Sequence, residues 1–270
     1  MLNCIFFYTY IINLYIYLLE SRKKQKQNLE QQKKDLIYQQ VVDNALLNAK
    51  AYIELAAGNI SPFIKILKTF LLSRSRMSLL SANEYVLQGI VEALLPLQYR
   101  VPELSLVMDS QKQKGNGHFG YSDIFVLKAT SNIYVSLELK YISLVNLTRN
   151  EEKKYGANEL ERLDKILDTE DIGSLLKRQY SYWSKELNKM EHTTIHEVLN
   201  NGMDQLKSYM NTISNGQAIT DYSGVFDERI KITKSDPHKL KGFVLLVIGF
   251  RRVLHRSVEE ITSNYRYDRI

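Results

Sequence analysis

Asp123, Glu138 and Lys140 are the residues of this 270-residue chain whose types and spacing could do chemistry together. They lie in two largely apolar stretches, Gly120-Tyr121-Ser122-Asp123-Ile124 and Leu137-Glu138-Leu139-Lys140. Side chains alternate along a strand, so Glu138 and Lys140 point to one face while Leu137 and Leu139 point to the other. A hairpin folded symmetrically about Thr130 and Ser131 sets Asp123 opposite Glu138, with their Cβ atoms about 5 Å apart. A turn at Ser131 and Asn132 pairs Asp123 with Lys140 instead and keeps all three on one face, whereas a three-residue loop breaks the alignment. Two carboxylates that close repel each other unless a cation sits between them, and hard oxygen ligands at this spacing suit Mg²⁺ or Mn²⁺. With Lys140 beside them to stabilise an anionic transition state or orient a water, the group is equipped to hydrolyse a phosphodiester.

Glu84 offers a third carboxylate. It precedes Leu87 and Val91 at helical spacing and extends the core-facing stripe Leu87, Ile90, Val91, Leu94 of a helix predicted over 82–95. Ser81-Ala82-Asn83-Glu84 is equally a capping-box pattern, in which Glu84 only satisfies the helix's first backbone donors. Glu92, farther round the helix, is the fallback ligand.

The elements that must position these residues follow from periodicity. Residues 22–58 read as one or two polar amphipathic helices, and 62–73 as a short apolar helix with Pro62 at its first position and Ser61 as its cap. Pro96 ends the 82–95 helix, and three strands are predicted over 101–109, 119–128 and 133–141. Residues 150–197 are charge-dense and read as a solvated helical insertion. A helix over 197–213 carries the stripe Leu199, Met203, Leu206, Met210 and Ile213. The apolar run Phe243–Phe250 reads as a strand buried on both faces. The order is helix, three strands, helix, strand.

In these residues the chain resembles the PD-(D/E)XK, or restriction-endonuclease-like, nuclease superfamily. More narrowly, it is similar to the nuclease-like region that follows an AAA-type ATPase-like domain in bacterial and fungal proteins. The segments that carry the resemblance are Asn83-Glu84-Tyr85, Gly120-Tyr121-Ser122-Asp123-Ile124, Glu138-Leu139-Lys140 and Gln205-Leu206-Lys207-Ser208-Tyr209. The resemblance implies an α/β fold with a three-layer αβββαβ core, N-terminal helices added and a helical insertion. It implies Asp123 and Glu138 as metal ligands, Glu84 as an auxiliary acid and ligand, Lys140 as the catalytic lysine, and Gln205 beside the site. The activity implied is Mg²⁺- or Mn²⁺-dependent hydrolysis of phosphodiesters, in DNA first. The alternative is a catalytically inactive module of the same fold that binds nucleic acid or protein. Tyr121 stands where the family often has a basic residue. The boundaries expected are 1–21 for a hydrophobic segment, 22–80 for a helical linker, 81–256 for the nuclease-like domain with its insertion at 143–197, and 257–270 for a tail.

Composition narrows the field further. A net charge of +6 and a pI near 9.1 permit a polyanionic partner. One cysteine, Cys4, excludes an intramolecular disulfide framework and a multi-thiolate zinc site, and fits an intracellular setting. No G-x-x-x-x-G-K-[ST] occurs, so no nucleoside triphosphate site is expected. Residues 1–19 carry no charged side chain, and Arg22, Lys23, Lys24 and Lys26 follow, the pattern of a membrane anchor with a cytoplasmic C-terminal domain or of a buried element. A homodimer is a further partner left open. His192 and His196 read as surface helix residues, Lys112 to His118 as a hairpin loop, and Trp183 as a residue that could stack on a base but more simply packs on a helix of the insertion.

Overall fold

A computed structural model describes residues 21–23, 36–75, 78–108, 119–127, 132–147, 155–184, 187–219 and 222–270. The chain divides into two compact units, Met1–Leu47 and Asn48–Ile270. In the first, Arg22 pairs with Asp43 at 3.9 Å. Helix α1 (Leu36–Ala56) runs from the first unit into the second. The candidate site lies wholly in the second.

That unit is a mixed α/β structure. Helices α2 (Ser61–Leu72), α3 (Ser78–Ser81) and α4 (Glu84–Leu94) precede strands β1 (Arg100–Val107), β2 (Phe119–Val126) and β3 (Ile133–Ile142). Helices α5 (Ala157–Thr169) and α6 (Ile172–Leu176) come next, then the strands β4 (Gln179–Ser184) and β5 (Lys189–Thr194). The long helix α7 (Ile195–Ser214), the short strand β6 (Gly224–Val225) and the long pair β7 (Ile230–Ile248) and β8 (Arg252–Arg269) complete it. Among the described residues the main sheet has six strands in the order β6-β1-β2-β3-β7-β8, and β4 and β5 form a separate two-stranded sheet.

The registers around β3 decide the site. β2 and β3 are antiparallel with Ile124 opposite Leu137, Phe125 opposite Ser136 and Val126 opposite Val135. This is the register expected of a symmetric turn at Thr130 and Ser131, although those two residues lie outside the described ones. β7 pairs with β3 in parallel, from Ile133 opposite Lys239 to Ile142 opposite Ile248. A strand flanked on both edges and covered by helices should be apolar almost throughout, and eight of the ten β3 positions are buried. Helix α7 lies on the face to which Glu138 and Lys140 point. Gly202 is what permits its close approach, since a Cβ there would meet Val244 Cγ1 at 3.1 Å and Lys140 Cγ at 3.4 Å.

Asp164 ties α5 to the sheet. It is 2% exposed, and its Oδ1 accepts from the backbone N–H groups of Phe250 (3.0 Å) and Arg251 (3.3 Å) in the tight turn between β7 and β8. Its Oδ2 lies 3.3 Å from Arg251 Nε. Gly249 in that turn has φ 60°, the left-handed region a side chain rarely tolerates, and a Cβ there would strike Asp164.

Several expectations are corrected. Residues 143–197 are not wholly helical, because Gln179–Thr194 forms the β4–β5 hairpin, turning through Asn188 at φ 50°. Trp183 and His192 therefore sit on strands, while His196 opens α7. Residues 257–270 are no tail, since they continue β8 alongside β7 as far as Arg269. The strand expected at 243–250 begins much earlier, at Ile230. The stretch read as a linker over 22–80 contributes Phe63, Ile64, Leu67 and Leu71 of α2 to the core. No helix among the described residues is long and apolar enough to cross a membrane. The anchor expected over 1–19, Cys4 and the loop from Lys112 to His118 lie outside the described residues.

Candidate active site

Strand β3 carries Glu138 into the interior, where it is fully buried. Burial in a low-dielectric surrounding and the neighbouring Asp123 push its carboxyl up to about 8, against the opposing pull of Lys140. Lys140, two residues on and so on the same face, donates from Nζ to Glu138 Oε1 at 2.7 Å. Glu138 Oε2 is buried and has no hydrogen-bond partner among the described residues.

Asp123 comes from β2 at the point where the two strands part. The last paired residues are Ile124 and Leu137, and beyond them the Asp123 side chain takes the place of the ladder: its Oδ2 accepts from the backbone N–H of Leu139 at 2.6 Å. A sheet hydrogen bond thus fixes the carboxylate. Burial raises Asp123 to about 6, with the Leu139 N–H and Lys140 acting downward and Glu84 and Glu103 upward. Burial also disfavours the Lys140 ammonium, but Glu138, Glu84 and Asp123 together hold it above its ordinary value.

Glu84 is not the cap of α4. That role belongs to Asn83, whose Oδ1 accepts from Val86 N at 3.1 Å, and Ser81 lies in the separate α3. Glu84 is the first helical residue, half-exposed, with Oε1 3.9 Å from Lys140 Nζ. It reaches the site and not the core, which this helix meets through Leu87, Ile90 and Val91. Glu92 takes a hydrogen bond from Gln88 at 3.3 Å on the same helix and is absent from the cleft described below. Gln205 donates to the Tyr209 hydroxyl at 2.9 Å, and the Tyr209 ring lies against Gly120 of β2, so this pair borders the strand that bears Asp123.

The structure therefore brings Asp123, Glu138, Lys140 and Glu84 together and sets Gln205 at the margin. Among the described residues no three His, Cys, Asp or Glu side chains group as a metal shell. The oxygen ligands on offer are the pair Asp123 and Glu138, with Glu84 across the Lys140 ammonium. That pair fits a hard divalent cation on three counts. Both ligands are carboxylates, both resist ionisation without a counter-charge, and Glu138 Oε2 is buried with no partner.

A cleft of about 770 Å³ opens from Asp123 and Glu84. Tyr121, Tyr141, Tyr180 and Trp183 also line it, the last two from the β4–β5 hairpin. Sequence reasoning missed this wall. The alternation of aromatic and polar residues in Gln-Tyr-Ser-Tyr-Trp-Ser was the available signal, hidden by the charged residues on either side.

Compared with known protein families, with characterised proteins and with solved structures, the chain gives no match.

Proposed function

We propose that this protein is a divalent-metal-dependent nuclease of the PD-(D/E)XK type that hydrolyses phosphodiesters, in DNA first, at Asp123, Glu138 and Lys140. The observation that carries the reading is the buried Glu138 carboxylate, one oxygen bonded to Lys140 and the other unpartnered, with Asp123 alongside. A protein rarely buries two carboxylates and a lysine in one place unless something charged is to be handled there. The order of elements gives further support, with α4, three antiparallel strands, α7 and a strand parallel to β3 following the plan of that superfamily.

Asp123 and Glu138 are the residues that would hold Mg²⁺ or Mn²⁺. When bound, the cation supplies Lewis-acid polarisation of a phosphoryl oxygen and a more acidic water. Lys140 remains protonated at neutral pH, and the ammonium donors not engaged by Glu138 can bind a non-bridging phosphate oxygen or orient the attacking water. Glu84, with Oε1 3.9 Å from that ammonium, helps hold it in place. Leu139, through its backbone N–H, prevents the Asp123 carboxylate from swinging away.

Purified protein incubated with DNA and Mg²⁺ or Mn²⁺ is expected to release 5′- or 3′-phosphorylated fragments, to stop in EDTA and to resume when metal is restored. Asp123→Ala and Lys140→Ala proteins should fall to background under the same conditions. Wild type no more active than either variant sinks the catalytic reading, and salt-dependent binding without cleavage would leave a binding module of the same fold.

A further inference from the structure

Resting on that reading of the site, we propose that the aromatic cleft beside Asp123 receives unpaired nucleobases, so that the substrate is single-stranded and not duplex nucleic acid. Besides Tyr141, four rings line the cleft: Tyr85, 78% exposed, from α4; Tyr121, 52% exposed, from β2; and Tyr180 with Trp183, the latter 56% exposed, from the β4–β5 hairpin. Tyr180 is itself stacked on Tyr182, with centroids 6.2 Å apart and planes 10° from parallel, so the hairpin presents prearranged ring faces. Tyr180 packs partly against the core, but Tyr85, Tyr121 and Trp183, this exposed on three separate elements, contribute little to it. Base stacking on such rings is worth about 1–3 kcal/mol per base.

Charge decides which part of a nucleic acid enters. Among the described residues the cleft is lined by Glu84, Glu103 and Asp123 and by no lysine or arginine. Duplex DNA presents a surface of phosphates with its bases stacked inside, and three carboxylates repel that surface. An unpaired strand can turn its bases against the rings while its backbone passes Asp123, which with the buried Glu138 would carry the cation. A second observation marks the floor as built for a polar ligand. Tyr141 lines the cleft, is 9% exposed, and has a buried hydroxyl with no hydrogen-bond partner among the described residues, a donor that a base carbonyl or ring nitrogen would satisfy.

Trp183 is the chain's single tryptophan, so stacking reads out as quenching of intrinsic fluorescence. The probe is a mixed-sequence DNA of about 20 nucleotides, long enough to exceed typical single-strand site sizes, offered single-stranded and as a blunt duplex. It is titrated into wild type in EDTA and into Lys140→Met with Mg²⁺, conditions under which no cleavage consumes it. The single strand should quench Trp183 and bind at least about tenfold tighter than the duplex, and Tyr85→Ala and Tyr121→Ala should each weaken it by roughly 5- to 100-fold. Equal or tighter binding of duplex overturns the inference, as does no binding of the single strand, or binding with Trp183 silent and both tyrosine variants unaffected. A protein that passes this test and cleaves nothing keeps the base-binding cleft and loses the nuclease reading. One that cleaves duplex while Trp183 stays silent does the reverse.

Discussion

Glu138→Gln should abolish phosphodiester hydrolysis and at the same time make the metal-free protein more stable at pH 8. Both effects come from one fact, a carboxylate buried beside another with a single ammonium between them and solvent. Its folded-state value of about 8 stands above the 4.5 of an unperturbed glutamate. A group raised in this way contributes stability that is present in full below about pH 4.5 and is lost as pH rises through about 8. Asp123, raised to about 6, adds a smaller loss of the same sign over a lower window. In EDTA the wild-type Tm should therefore fall by about 4–8 °C between pH 5 and pH 8, and the glutamine variant by half of that or less. Mg²⁺ at pH 8 should raise the wild-type Tm by mass action and leave the variant unmoved, while the variant's hydrolysis drops by roughly a thousandfold. Thermal unfolding at a series of pH values, with and without Mg²⁺, checks each part. A variant whose Tm falls with pH as steeply as wild type would refute the buried-charge account.

Asp164→Ala is expected to unfold the protein far more readily although the residue takes no part in the chemistry. Among the described residues this side chain is what satisfies the Phe250 and Arg251 N–H groups, and its removal leaves those donors unmet and the Arg251 guanidinium with only the longer contact to Glu161 at 4.0 Å. The cost is about 3–5 kcal/mol, or roughly 10 °C in Tm for a unit of this size. Asp164→Asn keeps one oxygen acceptor and should lose less than half as much. Urea denaturation of the three proteins measures the difference, and an alanine variant within about 1 kcal/mol of wild type contradicts the role given to this turn.

The site was more legible in the sequence than the frame around it. Strand alternation alone put Glu138 and Lys140 on one face, and the symmetric turn gave the register in which Ile124 meets Leu137. Local spacing was enough there because a two-stranded hairpin is a local object. The Glu84 question had two local answers, and the structure chose by moving the cap to Asn83, a difference of backbone conformation at Asn83 (φ −145°) that residue types do not reveal. Residues 179–194 and 253–267 fared worse. Both carry period-two patterns, as in Val253, Tyr265 and Tyr267 on β8, but their dense charge argued for helix or tail. Strands that keep one face wet can be as charged as any helix, and only the partner strand, distant in sequence or across a turn, tells them apart. The aromatic wall of the cleft was lost with the β4–β5 hairpin for the same reason.

The parallel pairing of β3 with β7 also sets a timetable. β7 and β8 meet across the Gly249–Arg251 turn, and hairpins of that kind close in about 1–10 μs. The β7-facing edge of β3 must instead wait for a partner roughly a hundred residues away, Lys239 against Ile133, and such closures are entropically slow. Pulse-labelled hydrogen exchange during refolding should accordingly protect the amides of β7 and β8 before those β3 amides that bond to β7. Until that late pairing, Glu138 stands in water with an ordinary acidity and β3 offers an open apolar edge. During synthesis the same interval lasts until residues 239–248 have left the ribosome, so the strand that bears the proposed site is also one in need of a chaperone's cover.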